Sequence, residues 1–147
     1  MRMLDAIRAA RAADNLDGLV DLIPYTRFMG ISMDVVQSEV IGKLTYSDHL
    51  IGNASVPALH GGTIGALLES TAVFKLLWEA ETIAIPKTIN ITVEYLRTGK
   101  PMDTFARAEF IRQGRRVASV RISAYQDEPE RPIAAANAHF LLIRDDD

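Results

Sequence analysis

From Lys87 to Arg97 the chain reads KTINITVEYLR, and from Thr88 to Tyr95 polar and apolar positions alternate without a break. Ile89, Ile91, Val93 and Tyr95 fall on one side of an extended chain, and Thr88, Asn90, Thr92 and Glu94 on the other. That is the pattern of a half-buried strand. FARAEFIR repeats it, with Ala106, Ala108 and Phe110 set against Arg107 and Glu109, and RVASVRISAY and PIAAANAHFLLI follow as further strand-like runs. The connections TGKPMD, QGR and DEPERP are short and rich in turn residues, so these strands are expected to succeed one another as antiparallel hairpins. Earlier in the chain, SMDVVQSEVIGKLTYS offers two more strands, with Gly42 as a bulge or bend between apolar positions.

Between the two groups of strands the period changes. From Gly61 to about Glu79 the apolar residues recur at helical spacing, giving a helix of roughly five turns with Ile64, Leu67, Leu68, Leu76 and Leu77 as core candidates. Gly61 and Gly62 sit where the chain must turn into it, and Pro86 lies beyond its end. One long helix between early and late strands is an α+β pattern. The helix is apolar almost all round, so a sheet on one side leaves a face for the N-terminal helices or a second subunit to cover, and a dimer is expected.

The first residues, MRMLDAIRAARAADN, read as a short amphipathic helix, with Met3, Leu4 and Ile7 on one side and Arg2, Arg8 and Arg11 on another. It is expected to pack on its own domain or on a partner subunit. LVDLIPYTRFMGI reads as a second helical turn ending near Pro24. The boundaries read from this pattern are a helical extension over 1–28 and the main domain over 29–147, with RDDD as a solvated end.

Composition narrows the class. At 147 residues and 48% hydrophobic, the chain suits one domain with an ordinary core. A net charge of -3 argues against general nucleic-acid binding. The absence of cysteine excludes disulfides and thiol chemistry and fits a reducing cytoplasm, the expected location. The N-terminus lacks the continuous apolar core and cleavage site of a signal peptide. The uncharged stretch from Leu50 to Leu68 is broken by Asn53, Pro57, His60 and paired glycines, so it does not read as a membrane span.

Glu69 is the first candidate for chemistry. Its helical neighbours at three and four positions are Gly65, Ala66, Ala72 and Val73, none able to pair with a carboxylate, and Lys75 lies on another side of the helix. A carboxylate held in low dielectric without a partner has its pKa raised, which suits a general base or a nucleophile. The ordinary alternative is a surface glutamate with small neighbours. His60, Gly61 and Gly62 come next: free backbone N–H groups at a helix start can point at an anion or a polarised carbonyl, or the glycines simply serve a turn. The basic residues between Arg97 and Arg121, above all Arg115 and Arg116 in RQGRR, are either solvated strand faces or a patch for a phosphorylated ligand. His49, His60 and His139 lack the spacing of a metal site.

Three blocks, HGGTIGALLE (60–69), TINITVEYLRTGK (88–100) and RQGRRVASVRISAYQDE followed by AAANAHFLL, resemble the hotdog-fold acyl-CoA thioesterases, in particular the phenylacetate-pathway (PaaI-like) branch. The resemblance covers roughly Ser32 to Ile143, and the order and spacing of the blocks carry it more than any single motif. It implies a long helix wrapped by a six-stranded antiparallel sheet, homodimers joined edge to edge, and an assembly as a dimer of dimers. It also implies a site at the dimer interface. One subunit supplies the turn at His60 and Gly61, whose glycine N–H polarises the thioester carbonyl, and the other supplies Glu69 as nucleophile or base. Some members carry aspartate at this place. Thr88 matches a residue that positions water. Gly62, Leu59, Arg97, Arg115 and Arg116 are the expected contacts to the substrate and its CoA phosphates, with Leu50 and Val56 bordering the acyl pocket. No separate cofactor is implied, since CoA is part of the substrate.

One position departs from the family. An Asn or Gln commonly stands six residues before the histidine, where this chain has Ala54; Asn53 is one residue earlier, and a one-residue bulge would restore it. Two other functions remain open on the same fold. A hydratase or dehydratase acting on acyl-CoA or acyl-carrier protein would need an acid fourteen residues after His49, where Thr63 stands. A non-catalytic acyl-CoA-binding module would have no use for a charge at position 69.

Overall fold

The apolar run from Gly61 to Glu79 is a single helix of 19 residues, α4 (Gly61–Glu79), in a computed structural model that describes residues 2–80 and 82–144. Ile64, Leu67, Leu68, Leu76 and Leu77 are all buried, as the helical spacing requires. A six-stranded sheet wraps this helix in the order β1 (Ile31–Val36), β2 (Glu39–Leu44), β6 (Thr104–Gln113), β7 (Val117–Tyr125), β8 (Ala134–Leu141) and β5 (Lys87–Tyr95). Every neighbouring pair is antiparallel. Two short strands, β3 (Ile51–Asn53) and β4 (Ala58–Leu59), form a separate ribbon just before α4.

Much of the inner face of β6, β7 and β8 is alanine: Ala106, Ala118, Ala124, Ala134, Ala136 and Ala138 are buried, beside the larger Val120, Ile122 and Phe140. Small side chains there let the helix ride close to the strands. Gly42 belongs to the same arrangement. It pairs in unbroken register with Met33 and Ala106, and a Cβ at this position would run into Thr71 Oγ1 of α4. The expected bulge is therefore a site of close helix approach, the other reason for a glycine inside a strand.

The strict alternation expected of β5 is broken. Thr88 pairs with Phe140 and Asn90 with His139, so Ile89 is an extra residue opposite the β8 ladder. The bulge turns Thr88 to the face of Ile91, Val93 and Tyr95, and Ile89 is left 53% exposed. On its other side β5 has no neighbour among the described residues, and it is the last strand of the sheet.

Residues 2–28 do not stand apart from this core. Helices α1 (Met3–Ala12), α2 (Asp17–Val20) and α3 (Pro24–Met29) bury Ile7, Leu19 and Val20, which together with Leu16 join the cluster that contains Leu76 and Leu77. Pro24 opens α3 at its first position instead of ending the helix before it, because a missing N–H costs nothing there. Arg11 is not simply on the outer side of α1: its Nη2 donates to the carbonyls of Leu77 and Ala80 at 2.7 and 2.8 Å. These belong to the end of α4, where orphan carbonyls and the helix dipole favour a cation. Asp17 accepts the Met33 backbone N–H at 2.9 Å and pairs with Arg27 at 3.0 Å, fastening the extension to β1. The hydrogen bonds that the Arg27 guanidinium donates to Asp21 first, and then to Asp17, raise its pKa. Among the described residues no helix is long and apolar enough to cross a membrane. Of the expected solvated end, residues 145–147 lie outside the described residues.

Candidate active site

The start of α4 is shaped by one histidine and its neighbours. His60 has extended backbone and caps the helix, with Nδ1 accepting the Gly62 N–H at 2.9 Å. A cap of this kind is usually made by a Ser, Thr, Asp or Asn oxygen; here an imidazole nitrogen does the same work. The His60 backbone N–H donates to the Leu50 carbonyl at 2.9 Å. The Gly61 N–H has no acceptor among the described residues. Of the two glycine donors expected at this turn, one is therefore committed to His60 and the other is open.

Two residues outside the sequence motif hold the turn. Tyr95, at the end of β5, donates its hydroxyl to the Gly61 carbonyl at 2.8 Å, and a Cβ on Gly61 would meet the tyrosine ring at 3.2 Å. Gly52 lies against His60 from the other side, where a Cβ would come within 2.7 Å of His60 Cα. Neither is visible as a site residue in the sequence: Tyr95 reads as one more apolar strand position, and nothing local distinguishes Gly52 from a turn glycine.

Glu69 lies on the row of α4 that begins with Gly61 and passes through Gly65, since positions four apart share a face. It is half-buried in the single chain, rather than buried as the sequence pattern led one to expect. Among the described residues it has no hydrogen bond or ion pair. Lys75, the only cation of the helix, is occupied elsewhere: it pairs with Glu79 at 2.7 Å and lies 5.0 Å from the centre of the Phe110 ring.

The other sequence candidates divide by position. Thr88 is brought to the helix side of β5 by the bulge at Ile89. Asn53 ends β3, and its pairing with β4 contains an irregularity with Gly52 as the extra residue, while its Oδ1 accepts the Ser55 N–H at 3.0 Å. Leu59 and Leu50 are buried in the core, so neither is open to a ligand in the single chain, whereas Val56 is 59% exposed. Leu59 is held to the loop after β5 by its N–H on the Gly99 carbonyl at 3.0 Å. That loop carries Arg97, which with Lys100, Gln126, Asp127 and Arg131 lines a hollow of about 230 Å³. Gln126 braces it from below, accepting the Lys100 N–H at 3.1 Å and donating to the Lys100 carbonyl at 2.9 Å. Arg115 and Arg116 stand in the turn between β6 and β7, the length of β6 away, roughly 30 Å at the usual rise per residue. Within one chain they do not join Arg97. Close to the helix start, Tyr46 donates its hydroxyl to Asp48 at 2.8 Å, and this bond raises the phenol's pKa. His49 and His139 are engaged with Ser47 and Asn90 on other elements.

Comparison with known proteins agrees with this architecture. The family model described as "Acyl-CoA thioesterase N-terminal domain" matches residues 52–141, from Gly52 through the end of β8. The medium/long-chain acyl-CoA thioesterase YigI of Escherichia coli is 28% identical over 95% of this chain and 99% of its own length. A Chromobacterium violaceum protein of known crystal structure is 39% identical, with a TM-score of 0.75 over 92% of this chain and 95% of that one. A phenylacetic acid degradation-related protein from Ralstonia eutropha has the same fold at 22% identity, with a TM-score of 0.72 over 82% of this chain and 90% of that one. The six-stranded antiparallel sheet around one long helix is thus the hotdog fold. The chain belongs to the hotdog-fold acyl-CoA thioesterases and is a thioester hydrolase.

Proposed function

We propose that the chain hydrolyses the thioester of an aromatic or medium-chain acyl-CoA in a site shared by two copies, with the Gly61 N–H of one and Glu69 of the other. One observation carries this reading. Gly61 and Glu69 are eight residues apart on one helix, about 12 Å along its axis, while each must come within roughly 3 Å of the same thioester group. A single chain cannot bring them together, and a second copy lying antiparallel can. The unpaired edge of β5 supports such a pairing, since an open strand edge is a template for another chain.

In this reading the Gly61 N–H donates to the thioester oxygen and stabilises the negative charge that develops on it. The partner subunit's Glu69 takes the proton of the attacking water, or attacks the carbonyl carbon itself to give a mixed anhydride that water then opens. The C–S bond breaks, the CoA thiolate leaves and is protonated, and the acid is released. Thr88, on the helix side of β5, is suited to holding the water. The hollow beside Arg97 suits the phosphates of CoA. The acyl class follows the relatives: YigI is named for medium and long chains, and the Ralstonia protein for phenylacetic acid degradation.

Thiol release from a panel of straight-chain and aromatic acyl-CoA esters tests the reading, with Glu69→Gln beside the wild type. The variant is expected to lose about two to four orders of magnitude in kcat, the usual contribution of a positioned base. Equal rates in the two proteins would remove Glu69 from the reaction. Hydroxylamine trapping followed by mass spectrometry at Glu69 separates the nucleophile from the base.

A further inference from the structure

The bonds around Gly61 form a chain that ends on His60. Tyr95 Oη donates to the Gly61 carbonyl at 2.8 Å, and the same peptide group carries the Gly62 N–H, which donates to His60 Nδ1 at 2.9 Å. A backbone N–H can only donate, so Nδ1 must be the unprotonated nitrogen of a neutral ring, and the ring proton must be on Nε2. Gly52, with no side chain, leaves the ring its room: a Cβ there would come within 3.0 Å of His60 Cδ2.

We propose that Tyr95 is a positioning residue of this site. By fixing the Gly61–Gly62 peptide it holds His60 as the Nε2–H tautomer, with that N–H turned outward as a second hydrogen-bond donor beside the open Gly61 N–H. The inference rests on the thioesterase site described above and adds to it a tautomer and the residue that sets it. The Gly61 carbonyl has a lone pair for the helix and another for Tyr95, so the tyrosine bond costs the helix nothing. Hydrogen bonds of this kind polarise one another along the chain, which strengthens the Gly62 donation to the ring. Tyr95 also ends the edge strand β5 and is 54% exposed. The same residue therefore sits where a second copy would dock and where the helix start is held.

The test is Tyr95→Phe, which keeps the ring packed on Gly61 and removes only the hydroxyl. Histidine-selective ¹⁵N NMR reads the tautomer, with the signals of His60 identified by their loss in His60→Gln. Wild-type His60 is expected as Nε2–H, with a measurable Nδ1–H fraction in Tyr95→Phe. In the same variant kcat should fall about three- to tenfold, the effect of one neutral hydrogen bond, with KM within about twofold because the bond does not touch substrate. Nδ1–H in the wild type, or one tautomer state in both proteins, would overturn the proposal. So would an altered tautomer with an unchanged kcat. If the wild type hydrolyses no acyl-CoA in the panel, the thioesterase site fails by itself, and the NMR result still decides whether Tyr95 sets the state of His60.

Discussion

The two ends of α4 are finished in opposite ways. At the C-terminal end Arg11 reaches from α1 to the carbonyls of Leu77 and Ala80, and Lys75 pairs with Glu79. Polar groups there are matched within the chain. At the N-terminal end His60 takes one glycine N–H and leaves the other open, and two turns further in Glu69 has no partner among the described residues. A helix end left unsatisfied is costly unless something completes it. The contrast is between an end closed by this chain's own residues and an end they leave open.

The contrast is broken most severely at the open end by Gly52→Ala. The added methyl would be 2.7 Å from His60 Cα, a contact with backbone that no side-chain rotation relieves. Displacing the helix start by about an ångström should cost on the order of a hundredfold in kcat/KM. Thiol release measures it, with far-UV circular dichroism as the check on folding; wild-type turnover would refute the packing argument.

At the closed end the expected effect moves from activity to stability. Arg11→Met should destabilise the chain by about 1–2 kcal/mol, two charge-assisted bonds reduced by solvent exposure. It should leave kcat at 25 °C unchanged. Urea unfolding and steady-state rates on the same sample would show whether the two effects separate in this way. Arg97→Gln sharpens the open end instead: KM for acyl-CoA should rise roughly three- to tenfold with kcat nearly constant, as for a phosphate contact used equally in ground and transition states. The smallest effect is expected from Lys75→Met. Its ion pair with Glu79 is an i,i+4 helix pair worth about 0.3–0.5 kcal/mol, and methionine keeps the packing on Phe110. A thermal scan should barely move.

What was legible in the sequence follows from the range of the forces involved. The limits of α4, its buried leucines and the six strands are local patterns of period 3.6 or 2, and they stand in the structure as read. The helix start at His60 and Gly61, and the place of Glu69 two turns further in, were legible because helix geometry ties spacing to position. The bulge at Ile89 was not, since its residues alternate perfectly and only pairing with β8 produces the extra residue. Arg11 reads as the polar side of α1; its acceptors are 66 and 69 residues away. Gly52 and Tyr95 owe their importance to what α4 places beside them. Pro24 is different: a proline at the first position of a helix is a recognisable start, and its reading as a stop overlooked that asymmetry.

The alanine paving of the sheet has a further meaning for how the protein can change. In most cores the damaging substitution is a deletion that leaves a cavity. Here Ala106, Ala118, Ala124, Ala134, Ala136 and Ala138 are already near the smallest side chain, and Gly42 is at the limit. Erosion has little left to remove, and the vulnerable direction is growth: each added methylene would push the helix off the sheet. Sequence drift at these alanine positions should be one-sided, tolerating glycine, alanine and serine and refusing valine or leucine. Volume, more than hydrophobicity, is the quantity under constraint there.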